Sequence, residues 1–297
     1  MDNLLTYIGR AKDLYKIYMK IFFLSVITLG MYRFWGKTRL RSYMWSHFHV
    51  DNDPLVYHGN AIELLKGFFK AFPFCIVIIV LLEVPYMEIP TSILIIWILN
   101  FAIYSHYKYL ASRTSWRGIR FYLNQSSINY ANKSFLLTLK NIVTLGIIAP
   151  KIILERSQML YENLQYGDMK FTLNVDVEDI KKIHWKTYLW AVPTLFMSRL
   201  YFLFYVSVYV INNLSIGPIK FRFTSTFKQY AWLEISNMLI NLCTAYMARP
   251  YTLNRKMIFM AKHIVVEGDI KNLIASAHNQ SLDGEDGSGD LLGIGAI

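Results

Sequence analysis

Cysteine is nearly absent. Only Cys75 and Cys243 occur in 297 residues, and both lie inside apolar stretches, so neither a disulfide framework nor a Cys-x-x-Cys zinc site can be built. Charge is sparse too, at 17% of residues. Acidic residues are the scarcer sign, 20 against 31 Lys and Arg, which leaves a formal charge of +11. A chain with 54% hydrophobic residues and a mean hydropathy of +0.29 is too apolar for an ordinary soluble domain. The basic residues flank the apolar runs instead of clustering on polar segments. This excludes the usual nucleic-acid footprint and fits anchoring against anionic lipid headgroups. The N-terminus lacks the order of basic region, apolar core and small-residue site expected of a cleaved signal.

Enzymatic signatures are missing as well. There is no Gly-x-Ser-x-Gly elbow, no His-Glu-x-x-His, no phosphate-binding glycine loop and no dinucleotide fingerprint, so no catalytic residue, cofactor or metal is expected. The stretch HFHVDND, with His47, His49, Asp51 and Asp53, has metal-ligand residue types but too few convergent ligands for zinc.

Two long apolar runs are present. FPFCIVIIVLL at 72–82 and TSILIIWILNFAIYSHY at 91–107 carry no Lys, Arg, Asp or Glu, and with their flanks each approaches a spanning length. EVPYMEIP joins them, acidic and proline-rich, and reads as a tight outer turn with Lys66, Lys70, Lys108 and Arg113 on the cytoplasmic side. A third apolar region, 187–211, contains Pro193 and Arg199. It is consistent with one tilted helix or with a helix broken at the proline.

The remaining apolar segments repeat. SVITLGMYRFWGKTRLRSYMW at 25, NIVTLGIIAPKIILERSQMLY at 141 and NLCTAYMARPYTLNRKMIFMA at 241 align on Thr28, Thr144 and Thr244. Ser25, Asn141 and Asn241 stand three residues earlier, so each polar pair shares a helix face, either as interhelical glue or as the lining of a pathway. Lys140 and Glu234 are ionisable residues beside these apolar segments and could pair with each other. Lys37, Arg39, Arg41, Arg255 and Lys256 form basic ladders suited to lipid headgroups. Each repeat either spans, which violates the positive-inside bias, or enters and leaves on one side. Alternating segments at 54 (PLVYHG), 116 (WRGIRFYL), 168 (DMKFTLN) and 218 (PIKFRFTS) read as short strands in hairpins at the membrane surface.

TLGMYRFWGKTRLRSYMWSH, YHGNAIELLKGFFKAF, SRTSWRGIRF and GPIKFRFTSTFKQYAWLEISNMLINL, with ARPY and EGDI, resemble the YjgN-like family of bacterial inner-membrane proteins, a domain of unknown function. The resemblance runs from about residue 15 to 270 and implies a multi-pass protein of the bacterial inner membrane. It transfers no catalytic residues. Lys151 stands where the family's Trp would follow the proline, and Tyr251 takes that place in the third copy.

The expectation is a membrane α-helical fold, a polytopic bundle with internal pseudo-repeats and short interfacial β-hairpins. Its repeat units fall at about 15–59, 116–174 and 218–270, within a membrane domain 1–275 followed by a flexible tail 276–297. The expected activity is transporter or channel-like passage of a small solute or lipid, and the alternative is a non-enzymatic scaffold or envelope-integrity factor binding anionic lipid. The expected partner is the bilayer, with self-association an open alternative and no nucleic acid.

Overall fold

A computed structural model describes residues 4–194 and 197–268. The expected tail, 276–297, lies outside the described residues.

The chain is a β-α-α-β unit used five times. The first unit runs β1 (Leu5–Tyr7), α1 (Ala11–Ile27), α2 (Arg33–Ser46), β2 (Phe48–Val50). The second has β3 (Asp53–Tyr57), α3 (Ala61–Glu83), α4 (Glu88–Ser112), β4 (Thr114–Trp116), and the third β5 (Ile119–Leu123), α5 (Ser127–Val143), α6 (Ala149–Tyr161), β6 (Leu164–Tyr166). The fourth comprises β7 (Met169–Leu173), α7 (Val177–Leu189), α8 (Met197–Asn212), β8 (Leu214–Ile216), and the fifth β9 (Ile219–Phe223), α9 (Phe227–Cys243), α10 (Arg249–His263), β10 (Ile264–Glu267).

All ten strands form one antiparallel sheet in sequence order. Two-residue turns join one unit to the next. Asp51-Asn52 and Arg117-Gly118 have both residues at positive φ, the geometry that matches the twist of a tight hairpin. Since every such turn lies at one rim of an up-and-down sheet, every helical pair must leave from the other.

Residues from all ten strands meet in one core, with Leu5, Trp116, Tyr166, Phe171, Ile216 and Val266 buried there beside partly buried Val50, Leu55, Phe121 and Phe221. Only a sheet curled nearly into a barrel brings one face of every strand together. α1 packs against α10 across the seam between the first and last units. The barrel axis is filled by side chains. Trp116 Nε1 donates to the Val50 carbonyl at 3.2 Å, and the Tyr166 hydroxyl donates to the Trp116 carbonyl at 2.9 Å.

The expected polytopic helical bundle is therefore incorrect. A ten-stranded, nearly closed sheet is the frame, and among the described residues only α3 and α4 are long and apolar enough to cross a membrane. The error has a physical cause. The apolar repeats read as bundle segments are shorter than a span, since α1, α5 and α9 each have 17 residues, roughly 25 Å at 1.5 Å per residue, and part of that length is charged. The three sequence repeats mark the turns of the first, third and fifth hairpins, and the region 187–211 spans the fourth hairpin's turn together with most of α8.

Candidate functional site

The hairpin turns account for the recurring polar residues. After α1, α5 and α9 the chain passes through two residues at positive φ, Leu29-Gly30, Leu145-Gly146 and Ala245-Tyr246. In each turn the amide of the second residue donates back to the carbonyl of the repeated polar position. Gly30 reaches Ser25 at 2.6 Å, Gly146 reaches Asn141 at 2.8 Å and Tyr246 reaches Asn241 at 2.7 Å. This is the closure of a helix C-terminus by a left-handed residue. The threonine hydroxyl then works in both directions. Thr28 donates to the Leu24 carbonyl at 2.7 Å and accepts from the Tyr32 amide at 3.0 Å. Thr244 does the same with Ile240 at 2.7 Å and Ala248 at 3.1 Å, and Thr144 donates to Lys140 at 2.8 Å.

A further copy escaped the sequence reading. Thr194 donates to the Trp190 carbonyl at 2.6 Å and accepts from the Ser198 amide at 3.1 Å. The signal was available in Thr194 itself, one residue after Pro193 at the end of an apolar run, but no Leu-Gly follows it.

The side chains of Ser25 and Asn141 keep a buried oxygen without a partner, Ser25 Oγ and Asn141 Oδ1, whereas Asn241 Oδ1 accepts from Thr252 Oγ1 at 3.1 Å. Lys140 is exposed, and Glu234 lies 3.5 Å from Lys256, so the Lys140–Glu234 pair does not form. Among the basic ladders, Arg39 and Lys256 face outward and Lys37 is half-buried. Arg41 is only 6% exposed and donates to the Tyr57 hydroxyl at 3.4 Å. Arg255 donates to Asn237 Oδ1 at 2.8 Å with its guanidinium over the Tyr251 ring. Asp51 and Asp53 are both held by Arg117, which ties the β2–β3 turn to the β4–β5 turn. Among the described residues no cluster of His, Cys, Asp or Glu is arranged to hold a metal.

Two buried polar groups were not anticipated as sites. The first joins α4, α5 and α6. Ser134 Oγ donates to Asn100 Oδ1 at 2.6 Å, Asn100 Nδ2 donates to the Ile96 carbonyl at 2.8 Å, and Arg156 Nη2 reaches the Ser134 carbonyl at 3.0 Å as well as Thr138 Oγ1. Arg156 has no carboxylate partner and its Nε is unpaired, so burial holds its pKa below the ordinary guanidinium value. The second lies between the third and fourth hairpins. His184 is fully buried against Phe202 and Tyr188, with neither ring nitrogen in a well-formed hydrogen bond, and burial together with the nearby Arg199 charge outweighs the Gly146 backbone and lowers its pKa from 6.5 to about 4. Arg199 lies over the Phe202 ring, 4.9 Å from its centroid. Neither group brings a nucleophile, a base and an oxyanion donor together.

A bacterial family of unknown function, DUF898, matches residues 3–209 and 187–290. The chain belongs to this family, the one that the YjgN-like motifs indicate. The two matched stretches overlap at 187–209, which covers the end of α7 and most of α8 in the fourth unit. No curated protein and no solved structure matches the chain.

Proposed function

We propose that this DUF898 protein is a non-enzymatic scaffold, anchored in the bacterial inner membrane by the α3–α4 hairpin and holding anionic lipid through its basic side chains. One observation carries the reading: the apolar surface of α3 and α4 is uncovered. Phe74 is 68% exposed and Ile89 74%, whereas a core helix of equal hydropathy would be packed on all sides. Bilayer hydrocarbon is the environment that removes such a surface from water.

The filled barrel axis and the turn-forming threonines favour scaffold over transporter. Trp116, Tyr166 and Phe171 occupy the space a channel along the ring would need, and Thr28, Thr144 and Thr244 spend their hydroxyls on helix ends. Transport keeps one supporting feature, the polar group around Asn100 and Arg156, because polar side chains in an apolar helix are functional candidates.

Washing cell membranes with alkaline carbonate tests the anchor. The protein is expected to stay with the lipid, and release into the wash would refute anchoring. Lipid retention tests the scaffold. Phosphatidylglycerol is expected to co-purify in detergent and to fall several-fold when Lys37, Arg39 and Lys256 become Gln. Unchanged retention would remove the basic ladders from the reading.

A further inference from the structure

We infer that the four short hairpins also enter the bilayer, with their tips in the leaflet nearest the ring, so that the protein sits in the membrane as a five-pronged wheel with one prong crossing. This inference rests on the anchored reading above and adds the seating of the rest of the molecule.

Each short hairpin ends in an uncharged tip. The charge-free stretches are 21–32, 141–150, 187–198 and 235–248, ten to fourteen residues folded back on themselves. Their large apolar side chains face outward. Leu29 is 95% exposed, Val143 82%, Val192 75% and Leu242 59%. Four apolar tips on one rim of one ring are beyond what scattered surface hydrophobics account for.

Charged residues bracket each tip on both legs. On the second leg Arg33 and Arg249 open the returning helix five positions after the turn threonine and Lys151 follows seven after it, whereas Arg199, the matching residue of the fourth hairpin, is turned inward over the Phe202 ring. On the first leg Lys20, Lys140 and Lys186 close the other side, while the fifth hairpin has Glu234 there, paired with Lys256. On the first leg the helix runs on for seven residues past Lys20 and for three past Lys140 and Lys186, about 4–10 Å beyond the charge. This matches the roughly 5–10 Å to which apolar faces sink below headgroups. Lysine and arginine at that level reach anionic phosphates while their stems lie along apolar surface.

The second hairpin carries a longer run of low charge. Its bracket is Lys70 and Lys108, and 37 residues lie between them, charged only at Glu83 and Glu88 beside the turn. The α4 leg from 89 to 107 spans about 28 Å, close to the thickness of the hydrocarbon core. Acidic turn residues then emerge on the far side. The occupant of the tips is thus the anionic proximal leaflet, continuous with the anchor.

Single spin labels on the full-length chain test this, in a background with Cys75→Ser and Cys243→Ser, reconstituted in vesicles of phosphatidylcholine with phosphatidylglycerol. Leu29→Cys, Leu145→Cys and Val192→Cys report the tips, Ile79→Cys reports the anchor and Lys170→Cys reports the ring. Collision with oxygen against a water-soluble nickel chelate is expected to place the three tips roughly 5–10 Å below the phosphates, Ile79 within the hydrocarbon and Lys170 in water. Water-exposed tips with Ile79 buried would overturn this inference and leave the anchor standing. Tips shielded from both probes and cross-linking between copies would overturn it in favour of a protein interface. Water at Ile79 as well would overturn the anchor itself.

Discussion

The α3–α4 hairpin and the α9–α10 hairpin grow from the same ring and differ in how they end. α3 and α4 have 23 and 25 residues, α9 and α10 have 17 and 15. The short pair turns through Thr244 and a left-handed Ala245-Tyr246, and its basic residue follows at Arg249. The long pair turns through EVPYME with glutamate on each side, and its nearest basic residues are Lys70 and Lys108. The ring thus serves as a common base, and the hairpins differ in how much uncharged helix each carries beyond it. Hydrocarbon admits as much apolar helix as is offered and stops at the first charge that cannot reach a headgroup.

The sharpest way to break the comparison is to charge both kinds of hairpin. Ile76→Lys with Ile79→Lys puts two ammonium groups at depth, each costing about 2.5–3.5 kcal/mol, and is expected to abolish flotation with vesicles. Val26→Lys with Ile27→Lys, on a short tip, is expected to leave flotation intact and only make the tip water-accessible. Equal loss in both would erase the distinction.

Next in size is the base they share. Trp116→Ala removes a large side chain from the filled barrel and is expected to cost about 3–5 kcal/mol by denaturant titration in detergent. Long and short hairpins should lose amide-exchange protection together, since every pair is rooted in the same sheet.

A smaller effect separates the contact between hairpins from the hairpins themselves. Asn100→Leu leaves Arg156 and Ser134 without the oxygen they share, and a loss of about 1–3 kcal/mol is expected. Because α4 belongs to the long hairpin and α6 to a short one, proteolysis should then sever the third hairpin before the second.

His184 makes the fourth hairpin sensitive to acid. Its folded pKa lies below its unfolded value, so the unfolded chain takes up the proton first. Its contribution is present above about 6.5 and lost as pH falls toward about 4. His184→Leu is expected to flatten the fall in thermal midpoint across that window, and an unchanged slope would contradict the burial argument.

The smallest test lies in the turns. Tyr246 holds φ +63, where glycine stands in the first and third hairpins. Tyr246→Gly is expected to stabilise by about 1 kcal/mol, and Gly146→Ala to destabilise by a similar amount, both read as shifts in denaturation midpoint.

Much of this architecture was legible. The helices on either side of EVPYMEIP, the four five-residue strands β3, β5, β7 and β9, and four of the five hairpin turns were all marked by period, composition or repetition. Four of the three-residue strands, β1, β2, β6 and β8, were not, because three residues cannot display a period of two. Candidate site residues fared unevenly. Thr28, Thr144 and Thr244 stood out as a recurring set, yet glue and pathway were the roles considered, and turn closure needs the left-handed backbone that only coordinates show. Arg41 was grouped with Arg39 because both are basic, and the helix carries them to different faces, one buried against Tyr57 and one in the open.

What the sequence by itself determined is local. Apolar run lengths, basic flanks, turn residues and strand patterns follow from side-chain chemistry within a few positions, and so does membership in a family with an unassigned role. What only the tertiary structure decided is how the pieces add up. Ten strands curl around one core because one apolar face of each must be buried, and that curling roots every hairpin on one rim. With the rim shared, stretches that looked like separate crossings become the legs and turns of hairpins rooted in one ring.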